Sequence, residues 1–182
     1  MRIPTLLLIC SLLSLPVVQA DQTDSRLDGL FRELLQADNA AMIRVLENRI
    51  WSIWYEHPNG DLERLMEIGT RHMNDRQFPE ALLIFNQVID SFPDYAEGWN
   101  KRATLYYMVG NLDASIADIE QTLTLEPRHF GALSGLGLVY LQQEQLTKAR
   151  DAFRNLIGIH PNSPNAKQNL DFVEERLRMN VI

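Results

Sequence analysis

The chain has 182 residues, 46% of them hydrophobic and 23% charged, with a formal charge of −7. That length fits one domain. The acidic balance argues against a nucleic-acid binder, which needs a basic stripe, and against docking on an anionic membrane surface.

Residues 1–20 read as a secretory signal. Arg2 gives a positive start, Leu6 to Leu15 form an apolar run, and Val18-Gln19-Ala20 ends in a small residue before Asp21. The run is short for a transmembrane helix and Pro16 interrupts it, so cleavage is expected over an uncleaved anchor. Leu7-Leu8-Ile9 before Cys10 does not fit a lipoprotein site. Cys10 is the only cysteine, so a cleaved chain has no disulfide, thiolate metal site or nucleophilic thiol. Loss of Arg2 makes the charge one unit more negative.

Residues 21–61 predict a helical pair. Leu27, Leu30, Phe31, Leu34 and Leu35 share one face, and Ile43, Leu46, Ile50, Ile53 and Trp54 share another. Asp38 or Asn39 is placed to cap the second helix, and Pro58-Asn59-Gly60-Asp61 ends it in a turn. The pair reads as a degenerate terminal unit that caps the segment after it.

Residues 62–163 carry an internal repeat. Pro93, Pro127 and Pro161 recur at an interval of 34 residues and divide the segment into windows 62–95, 96–129 and 130–163. The fourth positions are Leu65, Trp99 and Leu133. The eighth are Gly69, Ala103 and Gly137, and the eleventh are His72, Tyr106 and Tyr140. The twentieth are Ala81, Ser115 and Ala149, and the twenty-fourth are Phe85, Ile119 and Phe153. A small residue at the eighth position lets two helices approach, and bulky neighbours fill the space around them. Asn74-Asp75 and Gly110-Asn111 are turn signals between the paired helices, proline stops the second helix, and Asp94 is placed to cap the next.

This pattern resembles the tetratricopeptide repeat (TPR) in three tandem copies without insertion. His72 stands where an aromatic is usual, Arg76 and Glu144 where glycine is common, and Ser115 where alanine is. The segments 96–104 and 126–133 also resemble a group of exported bacterial repeat proteins. The resemblance implies an all-α fold, a right-handed α-α superhelix (TPR solenoid) whose concave groove binds polypeptide. The implied groove lining is Glu63, Met66, Thr70, Met73 and Asn74 in the first unit. In the second it is Glu97, Asn100, Thr104, Tyr107 and Met108, and in the third Gly131, Ser134, Leu138, Leu141 and Gln142. Lys101 and Arg102 add a basic pair near the middle, with Arg102 expected to be held by a neighbouring acid. A groove occupied by a partner peptide and a groove filled by the chain's own terminal helices are both compatible with these residues. One subtype of the family grips a carboxylate tail with lysine, asparagine and arginine. Met66, Thr70, Lys101, Gly131 and Gly135 stand at those positions, so that subtype is not expected.

Residues 164–182 predict a capping helix and tail. Ser163-Pro164 starts it, and Ala166, Leu170, Val173 and Leu177 form its apolar stripe. The whole chain therefore predicts about nine helices.

Catalytic patterns are absent. His57, His72, His129 and His160 show no helical metal-pair spacing, His72 sits at a packing position, and His129 and His160 read as solvated turn residues. Gly135-Leu136-Gly137 lacks the spacing of a phosphate loop, and Asp113, Asp118 and Glu120 read as solvated surface. No enzyme activity, metal or cofactor is expected. The expectation is a periplasmic adaptor for a protein or peptide partner, without nucleic acid or a small-molecule substrate. The alternative is a structural subunit that forms a homo-oligomer or docks to an envelope complex through its convex face and ends.

Overall fold

The computed structural model describes residues 21–57 and 59–179, which form nine α-helices and no strand among those residues. The proposed leader (1–20), Pro58 and the last residues of the tail (180–182) lie outside them. The helices are α1 (Arg26–Gln36), α2 (Ala40–Tyr55), α3 (Gly60–Asn74), α4 (Phe78–Ser91), α5 (Ala96–Met108), α6 (Leu112–Leu125), α7 (Phe130–Gln142), α8 (Leu146–Ile159) and α9 (Pro164–Met179).

Three helix pairs, α3–α4, α5–α6 and α7–α8, stack in chain order into an all-α superhelix. Their joints follow the small-against-large rule. A Cβ on Gly69 would stand 2.7 Å from the Phe85 ring, and one on Gly137 would stand closer still to the Phe153 ring. The second pair uses Ala103 against Ile119, and Ser115 adds a hydroxyl bond of 2.8 Å to the Ala103 carbonyl. The turns within the pairs turn back through left-handed residues: Arg76 at φ 60°, Gly110 at φ 80° and Glu144 at φ 57°. Pro93, Pro127 and Pro161 follow α4, α6 and α8 and prevent their continuation.

Caps set most remaining boundaries. Asn39 accepts from Met42 N–H at the start of α2, Asn59 from Asp61 and Leu62 N–H at α3, and Asn111 from Ala114 N–H at α6. Asp94 does not cap α5. The Ala96 N–H is instead met by Gln22 Oε1 at 3.3 Å, and Gln22 also donates to the Asp94 carbonyl. The N-terminal segment therefore closes this helix end from a distance.

Arg102 meets the acid expected for it. Its Nε and one terminal nitrogen reach the two Asp118 oxygens at 2.7 and 2.9 Å, and its other nitrogen reaches Asn86 at 2.7 Å. Asp118 is thus a buried ion-pair partner and not solvated surface, because α6 turns it toward α5.

At the C-terminal end α9 packs on α8. Val173 joins the Ala149–Phe153 cluster, with Leu170 and Leu177 beside it, and these cover the last repeat.

The N-terminal pair departs from its expected place. The core of the first repeat contains no α1 or α2 residue. Leu27, Leu30, Phe31, Leu34, Ile43, Leu46, Ile50, Ile53 and Trp54 pack instead with Phe130 and Leu133 of α7, Leu156 of α8 and Ala166 of α9. The pair folds back along the stack and does not extend it. Leu35, expected on the buried face, is 47% exposed, because at about 100° per residue it falls at the edge of the stripe made by Leu27, Leu30, Phe31 and Leu34.

Candidate functional site

The first helices of the repeats, α3, α5 and α7, present the residues expected to line the concave groove. Helix α2 lies across the N-terminal ends of α5 and α7. Gly131 makes room for it: a Cβ there would stand 2.7 Å from the Trp51 ring. The equivalent positions in the other repeats hold Glu63 and Glu97, so only the third unit offers this slot. Trp54 stacks on His129 with ring centroids 4.1 Å apart, and Trp51 meets His129 and Phe130 edge-on. Polar ties surround the contact. Tyr95 donates to the Trp54 carbonyl at 3.0 Å, Asn162 to the Ala37 carbonyl at 2.7 Å, and His160 meets Glu47 at 2.8 Å. Arg128 pairs with Asp28 at 2.7 Å.

Beneath α2 lies a buried polar cluster. His129 is 0% exposed and Glu97 is 1% exposed. His129 Nδ1 accepts from the Ala132 N–H at 3.1 Å, capping α7, which leaves Nε2–H to donate to Glu97 at 3.0 Å. Asn100 Nδ2 donates to the same carboxylate at 2.8 Å, and the Lys101 ammonium stands 3.7 Å from its other oxygen. Burial alone would raise the Glu97 pKa. The His129 hydrogen bond, the Lys101 charge and the Asn100 amide together hold it below the ordinary glutamate value. His129 and His160 are therefore not solvated turn residues. Their turns are covered by a distant part of the chain, and each ring finds a glutamate. Glu97 belongs to this buried cluster and not to an open groove wall, and Lys101 is also committed, with its ammonium over the Tyr55 ring at 5.0 Å.

The rest of the groove stays open in two places. Between α5 and α7 is a cleft of about 320 Å³, lined by Asn100, Thr104 and Tyr107 on one side and Ser134 and Leu138 on the other. Ala103, Ile119 and Val139 make its floor. Along α3 is a shallower cleft of about 560 Å³, lined by Glu63, Met66, Thr70 and Asn74 together with Glu67, Arg71 and Asp75. Tyr55 of α2 forms one end of it.

Most groove positions expected from the sequence are thereby brought together, and besides Glu97 and Lys101 three more differ in surroundings. Leu141 packs beside the cluster around Phe153 and Val173, Met73 is buried in the first repeat's core, and Gln142 is exposed at the end of α7. Met108 is 47% exposed at the end of α5. Tyr55, Glu67, Arg71 and Asp75 were not foreseen. Tyr55 reaches the groove from outside the repeats, and the other three are ordinary surface types with no distinguishing signal. Among the described residues no three His, Cys, Asp or Glu side chains gather as metal ligands, and no helix is long and apolar enough to cross a membrane.

Comparison with known proteins agrees with this architecture. The family model described as tetratricopeptide repeat matches residues 66–121 and 101–164. A TPR repeat-containing protein of Rhizobium etli is 32% identical over 155 residues, covering 85% of this chain and 76% of that protein. Human DnaJ homolog subfamily C member 3 is 26% identical over 110 residues, covering 60% of this chain but 22% of that protein. Among solved structures, the first TPR of Spaghetti (RPAP3) bound to an HSP90 peptide has a TM-score of 0.62 at 19% identity, covering 64% of this chain and 93% of that one. The Yersinia enterocolitica secretion chaperone SycD, in complex with a peptide of the translocator YopD, has a TM-score of 0.62 at 12% identity, covering 65% and 95%. The structural neighbours share the fold. With its repeats in register and a family match across them, the chain belongs to the tetratricopeptide repeat family.

Proposed function

We propose that this protein is a non-catalytic adaptor that holds a segment of another protein on the open part of its concave groove. The observation that carries this reading is the α5–α7 cleft. It has an apolar floor and a polar rim, and α2 stops short of it. Several solved structures of the same fold hold peptides, as in RPAP3 with an HSP90 peptide and SycD with a YopD peptide, which supports the same use here. The groove lacks a nucleophile–base pair, which supports binding over chemistry.

The location we propose is the bacterial periplasm, reached through cleavage after residue 20. The sequence of residues 1–20 supports this, as does the absence of cysteine from Asp21 onward.

The test is crosslinking capture from native envelopes with tagged wild type and with Ser134→Trp, which plugs the cleft. Loss of a captured protein with the variant, at unchanged helical content by circular dichroism, is the expected result. Capture of the same proteins by both transfers the function to the convex face or the ends, and the structural-subunit reading then leads.

A further inference from the structure

In the open part of the groove a buried side-chain amide offers an acceptor and the charged residues are mostly acids, and this says which partner it fits. Asn100 is the key residue. It is 8% exposed and lines the α5–α7 cleft. Its amide orientation is settled by chemistry: the ionised Glu97 behind it can only accept, so Nδ2 must face Glu97. Oδ1 is then the atom left for the cleft, and no donor meets it among the described residues. Thr104 has already given its proton to the Asn100 carbonyl at 2.9 Å. Asn100 and Thr104 thus offer acceptors that want an N–H or an ammonium.

Two further features favour a cation. The neighbouring cleft along α3 carries Glu63, Glu67 and Asp75 against one base, Arg71, which is itself paired to Glu67. In addition, α3, α5 and α7 end at Asn74, Met108 and Gln142, so three helix C-termini, each a partial negative charge, form the far rim. Helices α5 and α7 have no basic residue in their last turns to offset this, whereas α3 carries Arg71 and His72 there. The other nearby cation, Lys101, is turned away into Glu97 and the Tyr55 ring.

We infer that the groove selects a basic, partly apolar extended segment, the opposite polarity to an acidic tail. This rests on the adaptor reading above. An apolar side chain fills the α5–α7 cleft over Ile119 and Val139, its backbone N–H meets Asn100 Oδ1, and a lysine or arginine reaches the acids of α3. Packed helices stand about 8–10 Å apart, and an extended chain advances about 3.3 Å per residue. The basic residue therefore lies about three positions from the apolar one.

The experiment is fluorescence anisotropy of the purified protein with three labelled peptides of one serine-rich sequence. Each carries leucine at one site, and lysine, glutamine or glutamate three positions away. The lysine peptide is expected to bind about tenfold tighter than the other two, to weaken as salt is raised, and to lose most of that margin in Glu63→Gln/Glu67→Gln. Both glutamates are exposed, and glutamine at 63 keeps an oxygen for the His57 N–H, so this variant leaves the fold intact. Equal binding of all three peptides, abolished by Ser134→Trp, overturns the basic preference while the groove reading stands. Absence of binding by every peptide, with envelope capture still dependent on Ser134, also overturns the basic preference alone. Absence of binding with capture independent of Ser134 overturns both.

Discussion

Trp54 lies flat on His129, with ring centroids 4.1 Å apart and planes 8° from parallel. One residue comes from the N-terminal hairpin, the other from the junction between the second and third repeats. Their contact decides that α2 crosses the groove and that Glu97 is sealed beneath it. A stacked aromatic pair of this kind contributes about 0.5–1.5 kcal/mol beyond the area it buries.

Trp54→Ala is expected to destabilise the protein by about 3–5 kcal/mol, since it empties a fully buried site. Trp54→Phe should cost clearly less. The indole Nε1–H is buried without a hydrogen-bond partner, so phenylalanine removes an unsatisfied donor along with the lost volume. Urea unfolding of the two variants compares them. A phenylalanine variant as unstable as the alanine variant would show that ring size, not the stranded donor, governs the site.

Two of the four glycines of the third repeat, Gly137 and Gly158, should respond in opposite directions. Gly137→Ala drives a methyl into the Phe153 ring and is expected to cost about 1–3 kcal/mol. Gly158, inside α8, has open space around its Cβ position, so Gly158→Ala should gain about 0.5–1 kcal/mol from helix propensity. Thermal melts of both variants are the check, and Phe153→Leu should recover part of the Gly137→Ala loss.

Arg76 and Glu144 hold the left-handed turns at φ 60° and 57° that Gly110 holds without strain. Arg76→Gly and Glu144→Gly are each expected to stabilise by about 0.5–1 kcal/mol, the relief of the left-handed penalty less the added chain entropy. Gly110→Ala should destabilise by about 1 kcal/mol. Differential scanning calorimetry tests the sign at each position, and a lower melting temperature for Glu144→Gly would count against turn strain.

Glu97 should make the fold acid-sensitive. Its pKa is lower in the folded chain than in the unfolded one. Its contribution is therefore complete above the ordinary glutamate value of 4.5 and is lost as pH falls through the folded value. Glu97→Gln should cost about 1–3 kcal/mol near neutrality, because the hydrogen bonds from His129 and Asn100 lose their charged acceptor and the Lys101 ammonium its carboxylate. The gap between variant and wild type should narrow below pH 4.5. Unfolding curves at several pH values would show parallel behaviour if Glu97 had no part in the acid response.

Much of the fold was legible in the residue pattern because repeat packing is local. Gly69 with Phe85 and Gly137 with Phe153 lie within one unit, so their size relationship shows at a fixed spacing. The Arg102–Asp118 pair was half legible: an arginine at an apolar position announces a partner, although not which acid it is. The buried histidines were not legible. Each sits next to a proline-marked turn that reads as solvated, and only α1, α2 and the Glu47 carboxylate convert it into an interior.

The sequence by itself determined the helices, their pairing and the superhelix, because all of these come from short-range periodicity and steric fit. The tertiary structure alone decided where the N-terminal hairpin goes. An amphipathic helix records that it must bury a face, not which surface will receive it. That choice came from the slot at Gly131, the width of the Trp51 and Trp54 rings, and the glutamates that meet His129 and His160. Those fits join residues far apart in the chain, and they also decided that Glu97 is sealed under α2 while the clefts between α5 and α7 and along α3 stay open.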